Sequence, residues 1–199
     1  MKLLLHTCCA PCSGAIVETL LKEGIKPVIY YCNPNIFPEE EYLKRKAECS
    51  RYAAACGLEM VDADYTHAVW LQCMSGLEDE PERGLRCAEC FKHRLLSAAQ
   101  YASENGFDTL ATTLASSRWK NLDQVNAAGR WAVDKVNAAS ASLAALDGDS
   151  SAAPEVQWWD RNWRKGGLQE RRGQIIREQG FYNQLYCGCE FSMRNMQEK

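Results

Sequence analysis

Seven of the eleven cysteines fall in three tight groups: Cys8, Cys9 and Cys12; Cys87 and Cys90; Cys187 and Cys189. Thiols at C-x-x-C spacing sit close enough to share one metal ion or one cluster. The pairs Cys9/Cys12 and Cys87/Cys90 alone would suit a Cys₄ zinc site. Cys8, Cys187 and Cys189 exceed what one structural zinc uses, and that surplus favours an iron–sulfur cluster, or a cluster beside a second metal. Cys9-Ala10-Pro11-Cys12 also suits a thioredoxin-like dithiol, a reading that leaves five clustered thiols without a role. Cys49 and Cys56 share a helical face with Ala53 and read as core residues, because free cysteine packs as a small hydrophobe.

Elements must bring these groups together. Lys2–Thr7 carries Leu3-Leu4-Leu5 and reads as a buried strand, and from Ser13 the apolar residues Ile16, Val17, Leu20 and Leu21 form a helical stripe. Cys8, Cys9 and Cys12 then lie at the carboxyl end of a strand and the start of a helix, where the helix dipole favours thiolate. Pro27–Cys32 reads as a second strand, and a helix between two short strands implies a βαβ unit and a parallel sheet. Further along, a helix is expected to about Cys56, a strand over Leu58–Ala63, a short helix over Thr66–Ser75, and a longer one opening at Cys87 and closing at Gly106. A strand over Phe107–Thr112, a polar loop over Thr113–Lys120, a helix over Asn121–Val136, a strand over Glu155–Trp159 and a helix over Leu168–Gln179 complete the pattern. The chain ends in a cysteine-bearing tail, Phe181–Ser192. Residues 137–154 are small, polar and low in complexity, and read as an exposed insertion, a partly mobile helix and loop, into a single α/β domain.

Composition narrows the function. With 199 residues and 46% hydrophobic content, the chain can build a core without disulfides. Leu3–Leu5 is too short for a secretory signal core, and no apolar run reaches membrane-spanning length, so a cytoplasmic protein with no membrane partner is expected. Clustered cysteines in that compartment point to metal or redox chemistry. A net charge of −3 argues against broad nucleic-acid binding. Locally, however, residues 158–172 set five cations (Arg161, Arg164, Lys165, Arg171 and Arg172) against two anions among three tryptophans, a mixture suited to phosphate contact with base stacking. The loop after the first strand carries neither G-x-G-x-x-G nor G-x-x-x-x-G-K-[ST], so a phosphate loop is not expected.

Taken together, His6-Thr7-Cys8-Cys9-Ala10-Pro11-Cys12, Tyr31-Cys32-Asn33-Pro34-Asn35-Ile36, Arg86-Cys87-Ala88-Glu89-Cys90-Phe91, Thr112-Thr113-Leu114 and Tyr186-Cys187-Gly188-Cys189 resemble the epoxyqueuosine reductase QueH family. The resemblance spans nearly the whole chain apart from residues 137–154. It implies a Rossmann-like parallel sheet flanked by helices, related to the adenine nucleotide α-hydrolases. It also implies a [4Fe–4S] cluster beside a second, mononuclear iron, and a cobalamin-independent removal of the epoxide oxygen of epoxyqueuosine at the tRNA wobble position. The expected partners are that tRNA and an external electron donor such as ferredoxin or flavodoxin. Against this background Cys87, Cys90 and one of Cys187 or Cys189 are expected to hold the cluster, with Cys8, Cys9 and Cys12 shared between cluster and iron. A zinc-stabilised tRNA-binding module and a C-x-x-C thiol oxidoreductase remain the alternatives.

Epoxide reduction needs a proton donor. Asp64, Tyr31 and His6 are candidates, each with a structural alternative: a helix cap, a packed ring and a satisfied core histidine. His93 reads as exposed helix surface and His67 as a first-turn residue. Arg118 and Lys120, in the loop after the fourth strand, join the basic residues above as tRNA contacts. Trp119 between them departs from the family, where a smaller polar or aromatic ring often precedes the lysine. Asn33 and Asn35 would read the modified base or shape their proline-rich turn.

Overall fold

The computed structural model describes residues 1–147 and 154–197. Five strands, β1 (Leu3–His6), β2 (Val28–Tyr31), β3 (Met60–Asp62), β4 (Thr109–Thr112) and β5 (Gln157–Trp158), form one sheet in the order β3-β2-β1-β4-β5. Every pairing is parallel, so the chain has the expected α/β fold. β1 lies between β2 and β4 and is covered on both faces. Leu3, Leu4 and Leu5 are each no more than 1% exposed, which explains why an unbroken apolar run, rather than an alternating one, marks this strand.

Parallel strands need crossovers, and helices supply them. In chain order the helices are α1 (Ala10–Lys22), α2 (Glu39–Ala55), α3 (His67–Cys73), α4 (Leu85–Glu104), α5 (Leu122–Asp147), α6 (Leu168–Gln179) and α7 (Glu190–Gln197). α1 packs against α2 and α6, while α4 packs against α5, β1 and β4. Right-handed crossovers place these two groups on opposite faces of the sheet. Strand order reverses between β1 and β4, and such a switch point opens a crevice at the carboxyl edge of the sheet. The first cysteine group follows β1 there.

Several elements differ from the sequence expectation. α5 does not stop at Val136 but runs to Asp147. Alanine, the best helix former, recurs through 138–145 and carries the helix into the segment expected to be an insertion. Residues 148–153 of that segment lie outside the described residues. Thr113–Ser116 is a turn of 3-10 helix rather than open loop, capped by the Thr112 hydroxyl accepting from Leu114 N–H. The cysteine-bearing tail ends in a helix, α7, which sequence periodicity did not reveal.

One close approach couples α5 to the sheet edge. A Cβ added at Gly129 would sit 2.3 Å from Trp158 Cε2. Alanine normally gains about 1 kcal/mol over glycine in a helix, but this overlap falls on a rigid ring held in β5. Gly129→Ala is therefore expected to lower stability by about 1–3 kcal/mol in chemical denaturation. An unchanged midpoint would show that α5 and β5 do not bear on one another at this residue.

Candidate metal centre

All seven grouped cysteines line one cavity of about 1010 Å³. Three helix starts deliver most of them. Cys9 is the N-cap of α1 and Cys12 lies in its first turn. Cys87 is in the first turn of α4, and Cys90 follows one turn later on the same helix. Cys189 immediately precedes α7. Each of these helices therefore presents its positive end to sulfur.

The N-terminal group is the tightest. Cys8 Sγ and Cys9 Sγ are 3.8 Å apart, and the three sulfurs of Cys8, Cys9 and Cys12 all lie within 4.8 Å of one another. The Thr113 hydroxyl donates to Cys8 Sγ at 3.4 Å, and Cys8 N–H donates to that same hydroxyl oxygen at 3.1 Å. Hydrogen bonds from Cys12 and Cys9 hold Cys8 well below the usual thiol range, helped by the charges of Lys120 and Arg94. Cys9 moves the opposite way, first through burial. Cys12, whose hydrogen bond to Cys8 binds its proton, is pushed up to about 11. The first proton leaves this trio readily and the next ones do not.

The other four sulfurs interact through their charges. Burial raises Cys87, and the charges of Cys187 and Cys189 raise it further. Burial likewise raises Cys90 and pushes Cys189 up to about 11, with Cys187 adding repulsion to each. Donors surround these sulfurs. Arg83 N–H lies 3.3 Å from Cys87 Sγ, Lys120 Nζ 3.5 Å from Cys187 Sγ, and Ser192 Oγ 3.2 Å from Cys189 Sγ. Lys120 is drawn down by burial, but the charges of Cys187, Cys8 and Cys12 outweigh this and hold it as an ammonium.

The Cys187-Gly188-Cys189 turn is built around a buried arginine. Arg45, paired with Glu41, donates from Nη1 to the Cys187 carbonyl at 3.2 Å and from Nη2 to that of Tyr186 at 3.4 Å. Phe37 N–H donates to the Gly188 carbonyl at 2.8 Å. Gly188 has φ +116°, and a Cβ there would come within 3.0 Å of both Arg45 Nη1 and Ile36 Cγ1. The backbone angle favours glycine, and a side chain there would make Arg45 or Ile36 give way by a few tenths of an ångström.

A second buried arginine sits behind the centre. Arg94 lies four residues after Cys90 and is 2% exposed. Its Nε donates to the Cys32 carbonyl at 3.2 Å and its Nη2 donates to Asn33 Oδ1. Asn33 in turn donates from Nδ2 to the Thr7 carbonyl at 2.9 Å, tying the loops after β1 and β2 to α4. Arg86, Arg45, Arg94 and Arg83 line the cavity and were not singled out from sequence. A signal was present for two of them: Arg86 and Arg94 stand four residues either side of Cys90, on one helical face.

The other sequence candidates divide clearly. Asn33 and Asn35 are buried and line the cavity, and Asn35 Oδ1 has no protein partner. Arg118, Lys120 and Arg172 also line it. Arg172 is anchored by Nε donating to the Pro11 carbonyl at 2.8 Å. Arg161 instead forms a two-pronged pair with Glu23, Arg171 pairs with Glu18 and Glu178, and Arg164 donates to the carbonyls of Ala115 and Lys120. Lys165 is exposed away from the cavity lining.

None of His6, Tyr31 and Asp64 lines the cysteine cavity. His6 Nε2 faces the Cys32 carbonyl at 3.0 Å, which only accepts, so Nε2 carries the proton and Nδ1 accepts from the Thr112 hydroxyl at 2.8 Å. Burial, with Arg94 nearby, lowers His6 to about 3 and keeps it neutral. Tyr31 is buried and raised by desolvation, its hydroxyl donating to the Tyr42 carbonyl at 3.4 Å. Asp64 is exposed beside a separate cleft of about 370 Å³, which His93 also lines. His93 is therefore half-buried rather than exposed. His67, at the start of α3, does more than begin a helix: its ring nitrogens contact the Pro34 carbonyl at 2.7 Å and Glu190 at 3.1 Å.

The chain is similar to known proteins along nearly its whole length. A family model described as "Epoxyqueuosine reductase QueH" matches residues 3–195. A Histophilus somni protein named epoxyqueuosine reductase QueH is 45% identical over 98% of this chain and 73% of its own length. Proteins of the same name from Acinetobacter baylyi and Thermotoga maritima are 44% and 30% identical, each over 98% of this chain, covering 81% and 92% of their own lengths.

The glycine between Cys187 and Cys189 provides a local test. Gly188→Ala is expected to cost about 1–3 kcal/mol through its left-handed backbone and to push Arg45 off the turn. Chemical denaturation together with metal analysis of the purified variant should show lower stability and weaker metal retention. Wild-type values for both would mean that the turn tolerates a side chain and does not depend on the arginine.

Proposed function

The chain belongs to the epoxyqueuosine reductase QueH family, and from that premise we propose how its own residues carry the reaction. It is an epoxyqueuosine reductase, an oxidoreductase of tRNA modification. The observation that carries the proposal is the meeting of seven thiols from three distant stretches in one cavity.

The donor set fits the metal group expected from sequence. A tetrahedral ion with metal–sulfur bonds of about 2.3 Å holds its sulfurs roughly 3.8 Å apart, and Cys8 and Cys9 have that separation. Three close thiols also leave one coordination position open, the pattern of a catalytic rather than a structural ion. We assign Cys8, Cys9 and Cys12 to the single iron. Cys87, Cys90, Cys187 and Cys189 are more widely spread around the cavity and suit the larger [4Fe–4S] cluster, for which three or four of them suffice. Arg86 Nε and Nη2 are buried donors without hydrogen-bond partners beside this cavity, and the Trp70 side chain hydrogen-bonds Cys90 and favours its thiolate. Donors of this kind lower the cost of negative charge on sulfur. Bound there, the group would supply electrons and a Lewis-acidic metal position.

The reaction consumes two electrons and two protons. Both carbon–oxygen bonds of the epoxide break, a carbon–carbon double bond forms, and the oxygen leaves as water. Lys120 Nζ points into the cavity beside Cys187, and in this reading it donates a hydrogen bond to the departing oxygen. Asn35, with its unpartnered oxygen, contacts the polar edge of the modified base. Arg118 and Arg172 meet the RNA phosphates. Arg161, Arg164 and Arg171 support this surface through their internal contacts rather than by touching RNA. No helix among the described residues is long and apolar enough to cross a membrane. The reading places the enzyme in the cytoplasm, independent of cobalamin, with ferredoxin or flavodoxin as the class of electron donor.

Cys8→Ala separates this account from a zinc-stabilised tRNA-binding module, which needs only the two C-x-x-C pairs. In a strain lacking its own reductase, wild type should restore queuosine. The variant should leave epoxyqueuosine to accumulate, as read by mass spectrometry of tRNA nucleosides. Full queuosine with Cys8→Ala would favour the module.

A further inference from the structure

Trp119 is 67% exposed, yet it lines the cysteine cavity. Leaving an indole in water forfeits a large burial gain, so its placement at the rim calls for a reason. The backbone around it is tightly held. Arg83 Nε donates to the Trp119 carbonyl at 2.8 Å, and the Arg83 carbonyl accepts from Gln124 Nε2 at 2.7 Å. Arg83 itself adopts φ +69°, in the left-handed region that non-glycine residues seldom occupy. Arg164 Nη2 donates to the Lys120 carbonyl at 2.8 Å. The chain is thus fixed on both sides of Trp119 while the ring stays open to solvent. The Arg118 guanidinium lies 5.0 Å from the centroid of that ring, so a cation covers part of the indole and stands beside it.

We propose that Trp119 is a stacking platform for the nucleobase adjacent to the modified nucleoside, with Arg118 reaching the phosphate that joins the two. The proposal rests on the reading that the cavity takes a tRNA nucleoside, and it names what holds the rest of the loop. Position decides between the modified base and its neighbour. Cys9, Cys12, Cys90 and Cys189 are buried, so the reacting nucleoside must leave the anticodon stack and enter the cavity. Its neighbour then remains at the mouth with one face unstacked. An exposed ring on a fixed backbone replaces that lost stacking at little conformational cost. The same two neighbours tie the platform to the centre, because Arg83 N–H reaches Cys87 Sγ and Lys120 Nζ reaches Cys187 Sγ.

The test uses metal-loaded enzyme and an anticodon stem–loop RNA carrying epoxyqueuosine. The RNA is prepared intact or with an abasic residue on one or the other side of the modified position. Trp119→Ala should weaken binding of the intact loop roughly 5- to 100-fold, the range for removing an aromatic from under one base, with kcat little changed. Trp119→Phe should recover most of the loss. One abasic loop should bind wild type about as weakly as the intact loop binds Trp119→Ala, and that variant should lose nothing further on it. Equal affinity of wild type for all three loops would overturn the proposal. So would a Trp119→Ala loss that adds in full to the abasic loss, or a loss confined to the rate with an electron-donor protein, which would make the ring a protein-docking residue. A wild-type enzyme that binds but never reduces the loop would instead sink the reductase reading, and the affinities would still decide the stacking.

Discussion

Gathering thiols at the edge of a buried sheet concentrates negative charge where little water remains, and the rest of the molecule is arranged around that constraint. Burial and mutual repulsion raise Cys9, Cys87, Cys90 and Cys189, and a hydrogen bond to Cys8, before burial, raises Cys12. What offsets them comes from every side: the starts of α1, α4 and α7, the ammonium of Lys120, and the buried guanidinium of Arg94. Arg94 feels the charges of Cys90, Cys8 and Cys187 together. It thus couples the N-terminal thiols to the group on α4 and the tail. A cationic metal group is the remaining contribution that would let several of these thiols ionise at once.

The same arrangement explains how the α/β scaffold is used. At the carboxyl edge of a parallel sheet, a switch point with a helix start suits an anion. The loop after β1 keeps that geometry, but Cys8, Cys9 and Cys12 occupy the positions from which backbone amides would otherwise cradle a phosphate. The tail then closes the cavity. Arg45 from α2 grips the carbonyls of Tyr186 and Cys187, and His67 from α3 contacts Glu190 at the start of α7. These contacts span more than a hundred residues of sequence, so the last two cysteines depend on elements near the first.

Much of this was legible in the residues. The unbroken Leu3-Leu4-Leu5 run announced a central strand, and the βα alternation announced a parallel sheet. The three cysteine groups marked their own convergence. What stayed hidden was tertiary. Arg45 looks like an ordinary surface charge on an amphipathic helix until its partners, the carbonyls of Tyr186 and Cys187, are in place, and Arg94, although on the Cys90 face of α4, shows its role only once Cys32 and Asn33 meet it. Arg161 and Arg171 show the reverse: a basic run that suggested RNA is spent on Glu23, Glu18 and Glu178, carboxylates brought near only by folding. His6 could not be assigned from sequence because its neutrality follows from complete burial beside Arg94, and its tautomer from two hydrogen bonds that cross to β4 and to the loop after β2. The helix expected within residues 137–154 was legible in its alanines, but not that it continues α5 without a break.

The central claim is that the seven thiols hold a cluster with a separate iron. Iron, acid-labile sulfide and zinc measured together on protein purified without oxygen test it most directly, with the visible spectrum recorded before and after dithionite. The account predicts a brown protein with about five irons and four sulfides per chain and a broad absorption that dithionite bleaches. A colourless protein holding stoichiometric zinc and no sulfide would contradict it.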